Sequence, residues 1–252
     1  MINVYVVSLE SDVNKRETIS SLLESYDIDF EFVEAVYGRD IEIDNLNEMK
    51  SKFIEYGREI GPGEVGCFLS HIRTYEKIIS QDNNWAIILE DDVFFDVRFK
   101  NFIDGFSDKE LMEDNLYILG GQEGLVSEPM QVKSLFRNSM IGNAKFRKTI
   151  NSSKYIYRTC CYLMNKKMAK KILELVDRKY YLIDDWYFLS QTKTVNDIYL
   201  SDLVSHPLDL SNSLIQQERC NGIKSSLFSK IKSNSSLRYF YSRLRKILSF
   251  SI

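Results

Sequence analysis

Three consecutive carboxylates, Glu90-Asp91-Asp92, follow the apolar stretch Trp85-Ala86-Ile87-Ile88-Leu89 without a spacer. Hard divalent cations such as Mn2+ or Mg2+ take oxygen ligands and keep positions open for phosphate oxygens, so one or two carboxylates suffice to hold them. A cation held there would neutralise a diphosphate as its bond to a sugar breaks. The competing reading is an acidic strand end that only solvates a turn, and the triplet alone leaves both open. His71 and His206 are the only histidines, and the four cysteines contain no C-x-x-C pair. A zinc module is therefore poorly supported, and any metal is expected to rest mainly on carboxylates. His206, just before Pro207, is a candidate nitrogen ligand from the far end of the chain, or a plain turn histidine. His71 follows Cys67 by one helical turn and either orients Glu64, contacts a substrate, or is a satisfied core histidine.

The elements around these residues read as alternating strands and helices. Ile2 to Leu9 is a near-continuous valine-rich run, as in a strand buried on both faces of a parallel sheet. Ser11 or Asp12 can cap a helix through about Tyr26, and Phe30 to Val33 alternates as a second strand. A helix over about 45–56 and another over about 63–80, entered through Gly61-Pro62-Gly63, lead to the strand that ends in the acidic triplet. That strand's C-terminal edge is where open α/β sheets bind ligands. Leu116 to Leu119 is a further strand closed by Gly120-Gly121, Tyr155 to Met164 is strand-like, Asn165 caps a helix through Val176, and Ile198 to Val204 is a last strand. Residues 126–156 hold six lysines and arginines from Lys133 to Lys154 against the single acid Glu128, with little periodicity, and are expected to be a mobile substrate-facing loop. The fold class is α/β, a mostly parallel central sheet flanked by helices.

Three blocks carry a resemblance. Val6-Val7-Ser8-Leu9 with Arg16, then Gly61-Pro62-Gly63-Glu64-Val65-Gly66-Cys67-Phe68-Leu69-Ser70-His71, then Ile87 to Asp92 resemble, in order and spacing, glycosyltransferase family 25, the lipooligosaccharide-type transferases. Weaker likeness continues through Tyr162-Leu163-Met164, Leu182-Ile183-Asp184, His206-Pro207 and Ser213-Leu214-Ile215, so it covers about residues 1–216. The resemblance implies a GT-A-like, Rossmann-type sandwich. It also implies UDP-galactose or UDP-glucose as donor, and inverting transfer onto a lipid-linked oligosaccharide of the outer-core type. Asp92 would then be the direct metal ligand, with Glu90 or Asp91 holding ribose or a metal-bound water. A glutamate stands where a generic DxD motif begins with aspartate, which leaves the roles of Glu90 and Asp91 undivided. Inversion needs a base for the acceptor hydroxyl, and Asp184 and Asp185 are the candidates, unless both merely cap the helix near Trp186. Ser8, Leu9 and Arg16 are candidates for the nucleotide pocket, with Glu64, Ser70, His71, Gly120 and Gly121 completing the substrate-binding set.

The net charge of -3 hides an asymmetry: residues 224–246 carry seven lysines and arginines, and no acid follows Glu218. We therefore divide the chain into a catalytic domain, 1–222, and a tail, 223–252. Phe240, Tyr241, Leu244, Ile247 and Leu248 recur between the tail's basic residues, as in an amphipathic helix that lies on an anionic membrane or one packed on the domain. Without a spanning run or basic leader, the expected location is cytoplasmic, peripheral on the inner face of a bacterial inner membrane. Nucleic-acid binding through the tail and basic loop is the alternative from another class, disfavoured by the acidic main domain. A family member that binds donor without turnover is another.

Overall fold

The computed structural model describes residues 2–208; the tail and Ser213 to Ile215 lie outside them. Strand β1 (Asn3–Ser8) is the buried run expected from its valines and leads into α1 (Val13–Ser25), where Asp12 accepts a hydrogen bond from the Lys15 amide. Strand β2 (Glu31–Glu34) completes the first strand-helix-strand unit, and α2 (Ile43–Lys52) follows. Helix α3 (Pro62–Ser80) starts with proline in its first turn, where the missing amide costs nothing, and Glu64 reaches back to accept from the Gly61 amide at 3.0 Å. It feeds β3 (Trp85–Glu90), then a two-residue strand β4 (Phe94–Phe95) and α4 (Val97–Asp104). Strand β5 (Leu116–Gly120), the pair β6 (Lys133–Ile141) and β7 (Ala144–Thr149), strand β8 (Cys161–Asn165), helices α5 (Lys166–Val176) and α6 (Trp186–Gln191), and β9 (Ile198–Ser205) complete the order.

One sheet runs in the order β2-β1-β3-β8-β5-β9-β7-β6, with β4 on β9. Its directions are mixed: β1 is parallel to β2 and β3, and β5 to β9, while the other pairings are antiparallel. Alternate side chains of β3 serve two cores. Ala86 and Ile88 pack with Phe68, Tyr75, Tyr162 and Trp186 on the face of α3, α5 and α6. Ile87 and Leu89 pack with Ile19, Leu23, Phe99 and Phe102 on the face of α1 and α4. That period of two, apolar on both faces, is why the strand reads as an unbroken hydrophobic run.

The basic segment 126–156 is not a loop. Most of it is the β6-β7 hairpin, joined to the sheet through Arg147 opposite Leu200 and Lys148 opposite Tyr199. The alternation that builds it is short: Ala144, Phe146 and Thr149 are buried, whereas Lys145 and Arg147 face out. In β7 the outward positions are charged and only two buried side chains are apolar, too few to stand out as a period. Helix α4 also lacked a sequence expectation, although Phe99, Phe102 and Ile103 fall on one face.

Candidate active site

The pairings dictate where chemistry can collect. Strands β1, β3, β5 and β9 all run the same way, so Ser8, Glu90, Gly120 and Ser205 finish at one sheet edge. Antiparallel β8 starts at that edge, with Cys161 opposite Leu89 and the Cys160 carbonyl accepting from the Glu90 amide at 2.9 Å. Residues distant in sequence therefore converge on the acidic triplet.

Each carboxylate has a different neighbourhood. Asp91 accepts from the Ser8 hydroxyl at 2.7 Å and from Lys15 Nζ at 3.4 Å, so the end of β1 and the first turn of α1 share it. Its burial still leaves the carboxyl above its ordinary range, with Lys15 and Ser8 offsetting part of the rise. Glu90 points back toward the core, accepts from the Thr159 hydroxyl at 2.5 Å, and lies 3.5 Å from His71 Nε2. Burial acts to raise Glu90, yet His71 and Thr159 together hold it below its usual value. His71 is buried and fixed from behind by Tyr162, whose hydroxyl is 2.8 Å from Nδ1 and 2.8 Å from the Tyr75 hydroxyl. It touches neither Glu64 nor open space.

Asp92 is the least satisfied of the three. Its Oδ1 is buried without a hydrogen-bond partner, although His206 Nε2 stands 3.6 Å away. Burial and the adjacent Glu90 charge raise its carboxyl, with His206 and Lys15 acting in the opposite sense. His206 is oriented for a ligand's role. Its Nδ1 lies 2.9 Å from the Pro207 carbonyl, which can only accept, so the proton sits on Nδ1 and the lone pair of Nε2 faces the carboxylates. One ligand atom each from Glu90, Asp92 and His206 lies within 4.8 Å of the others. One carboxylate oxygen each from Glu90 and Asp92, whose Oδ1 is buried and unpartnered, and one imidazole nitrogen make a donor set that fits a divalent cation of the Mn2+ or Mg2+ class.

Gly120 and Gly121 put His206 there. A Cβ on Gly120 would lie 1.7 Å from the Val204 carbonyl oxygen, and one on Gly121 (φ +73°) would lie 1.9 Å from Cys160 Sγ. Only glycine lets β5 end this close to β9 and to the start of β8. Their role is therefore close packing of the strand ends that carry the site.

Other expected residues stand apart from the cluster. Arg16 donates to the Ser8 carbonyl at 2.9 Å and to Glu34 at 2.6 Å, with its guanidinium over the Phe32 ring, so it ties β1 to β2. Leu9 lines a neighbouring cleft of about 570 Å³ with Glu10, Glu34, Tyr37 and Arg73. Glu64 is buried against Arg58, which donates to both its oxygens, and Ser70 links α3 to the Val36 amide at 2.8 Å. Both serve the fold around α3. Asp185 uses one oxygen to cap α6 through the Phe188 amide at 2.9 Å and the other to accept from Tyr56 at 3.0 Å. Asp184 lies 3.4 Å from the Arg158 amide, and the next residue, Thr159, holds Glu90. Arg158 adopts φ +68° and donates to the carbonyls of Gly121 and Glu123, while its own carbonyl accepts from Trp186.

Lys15, Thr159, Arg158 and Glu123, which accepts from the His206 amide at 2.7 Å, were missed from sequence. Lys15 carried a usable signal, since the first turn after a strand end faces whatever that edge binds. The other three lie on connections whose positions depend on sheet order.

The family model described as glycosyltransferase family 25 (LPS biosynthesis protein) matches residues 1–187. Procollagen galactosyltransferase 1-B of Xenopus laevis is 30% identical over 179 residues, which cover 68% of this chain and 28% of that protein. The chain thus spans less than a third of that relative's length. A Haemophilus influenzae protein named "Putative glycosyltransferase" is 28% identical over 256 residues, covering 90% of this chain and 82% of its own. The crystal structure of a glycosyltransferase that acts in glycosylation of the major capsid of PBCV-1 is 10% identical, covers 96% of this chain and 98% of its own, and superposes with a TM-score of 0.42, too low to carry an argument. No helix of the described residues is long and apolar enough to cross a membrane. With three quarters of its length matched and the acidic triplet within the matched part, the chain belongs to glycosyltransferase family 25.

Proposed function

We propose that the protein transfers a hexose, galactose ahead of glucose, from a UDP-sugar to a saccharide acceptor of lipooligosaccharide or a related surface glycan, with inversion at the anomeric carbon. The observation that carries this reading is the convergence of Glu90, Asp92 and His206 at the strand-end edge, with an unpartnered buried oxygen on Asp92. Mn2+ or Mg2+ held by these three would supply the positive charge that a departing nucleoside diphosphate needs. Lys15, beside Asp91 and Asp92, adds a fixed cation at the same edge. The cleft bounded by Leu9, Glu34 and Tyr37 adjoins it and suits the nucleoside. Galactose is favoured because relatives such as the Xenopus procollagen enzyme are named galactosyltransferases. The two hexoses differ at one hydroxyl, which a single polar contact discriminates.

Asp184 is assigned the base that takes the acceptor's proton. Asp185, with both oxygens engaged by α6 and Tyr56, is not. The acceptor's lipid anchor and the basic tail's contact with an anionic membrane belong to this proposal. The test is donor turnover measured by mass spectrometry across a panel of UDP-sugars, with Mn2+ and with chelator. Asp92→Asn is expected to lower metal-dependent turnover by about 100-fold or more, as for loss of a group that stabilises developing charge. Full metal-dependent turnover in that variant would remove Asp92 from the site, and no turnover of any UDP-sugar by the wild type would remove the reaction.

A further inference from the structure

The β6-β7 hairpin forms one edge of the sheet, and its outer face has an unusual composition. Phe136 is 84% exposed, Leu135 57% and Met140 49%. The first two sit in the irregular stretch between the pairings Lys133–Thr149 and Asn138–Arg147, where Ser134 caps the amides of Phe136 and Arg137 and turns that part of the strand outward. Met140 lies opposite Lys145 and Asn138 opposite Arg147, while the intervening Phe146 is buried, so these four share the face turned from the core. Lys133, Arg137, Lys145 and Arg147 make no ion pair among the described residues; Lys148 alone of the hairpin's cations has one, to Asp197 at 2.7 Å. No acidic residue falls between Lys133 and Thr149.

Apolar side chains standing out between unpaired cations match a surface that is anionic outside and hydrocarbon inside. We propose that this hairpin is a docking surface for an anionic lipid bilayer, with Phe136, Leu135 and Met140 entering the interface and Lys145 and Arg147, on the same outward face as Met140, meeting lipid phosphates. Two other occupants fit less well. A second copy paired along the β6 edge would set like charges against each other. The chain's own C-terminal tail is cationic as well. The proposal is independent of the transfer chemistry and names a contact distinct from the tail.

The test uses the full-length chain. Trp85 and Trp186 are both buried, so Phe136→Trp adds a reporter in an exposed position. With vesicles of phosphatidylcholine and phosphatidylglycerol, its emission is expected to shift to the blue and to be quenched by brominated acyl chains, with no change in vesicles of phosphatidylcholine alone. Lys145→Gln and Arg147→Gln should each weaken vesicle binding about fivefold, the loss expected for one surface charge. Phe136→Ser should weaken it further while leaving the melting temperature and turnover of a soluble acceptor unchanged. An unshifted, unquenched reporter on anionic vesicles would overturn the proposal even if the protein co-sediments with them, since the tail would then be the contact. So would a lipid-free dimer in analytical ultracentrifugation that Phe136→Ser dissolves. Loss of turnover with intact vesicle binding would overturn the functional reading alone.

Discussion

Two acidic clusters head toward the same part of the molecule, and they differ in what their oxygens already do. In the pair before α6, Asp185 is complete: one oxygen caps the helix and the other takes the Tyr56 hydroxyl, which in turn accepts from the Leu182 amide. In the triplet after β3, Asp91 and Glu90 are each held by a hydroxyl, but Asp92 keeps a buried oxygen with no partner, facing an imidazole whose donor proton is on the other nitrogen. Both clusters look alike as letters. The difference lies in hydrogen-bonding capacity left unfilled by the protein, which in a buried place costs stability that a bound cation or another partner would restore.

The largest expected effect tests the one member of the α6 pair placed with the active edge. Asp184→Asn should reduce transfer by roughly 100- to 10,000-fold, the range for a lost general base, with donor affinity unchanged. If transfer persists while the donor binds normally, Asp184 joins Asp185 as a structural residue and the comparison becomes complete. Next in size is the second sphere of the triplet. Tyr162→Phe removes the hydroxyl that fixes His71 behind Glu90, and should weaken Mn2+ binding by about 10-fold in calorimetry, as outer-sphere partners of metal ligands do. Unaltered Mn2+ affinity would reduce the Tyr75-Tyr162-His71 chain to core packing.

A pH series sharpens the contrast further. The carboxyls of Asp91 and Asp92 lie above their ordinary values in the folded chain. Their contribution to stability is then fully present below the unfolded aspartate range and is lost as pH rises through the raised folded values. Metal-free protein should therefore lose part of its melting temperature across mildly acidic pH, and Mn2+ should restore it above that range. In Asp92→Asn the metal-free melting temperature should rise and the Mn2+ increment should vanish. A metal-free profile in Asp92→Asn that coincides with the wild type's would mean that Asp92 carries no such penalty, since the opposite contribution of Glu90 is common to both proteins. The smallest effect is on the other cluster: Asp185→Ala should cost about 1–2 kcal/mol of stability through the lost cap. Transfer by the folded fraction should stay near wild type, and a stable but inactive Asp185→Ala protein would reverse the assignment of the pair.

Much of the frame was legible because it rests on local patterns. The valine run of β1, the Asp12 and Asn165 caps, and the helical spacing of apolar residues in α3 are signals that tertiary context did not override. The site was legible in part. Glu90 to Asp92 announce themselves by following an apolar strand, but the Asp92–His206 approach depends on β9 lying beside β5, and no residue spacing encodes a sheet order. Glu64 and Ser70 belong to a block that resembles the family as a whole, yet Glu64 bonds the entry of α3 and Ser70 ties the middle of that helix to the Val36 amide. A shared motif holds together residues that touch a ligand and residues that only hold the backbone, and sequence alone does not separate them. The hairpin failed for the opposite reason, since its exposed face is apolar and basic where an outward strand face is ordinarily polar.

The glycine pair ending β5 has a consequence for how the protein comes into being. It lets the last strand of the described chain close against β5 and deliver His206, so the third member of the candidate trio reaches the site only after everything before it has been synthesised and β9 has docked. A ribosome-bound chain exposing residues up to the acidic triplet holds two carboxylates of the trio and lacks the imidazole. Metal bound there would act as a clasp between the ends of β3 and β9, favouring the closed arrangement over partial opening of β9.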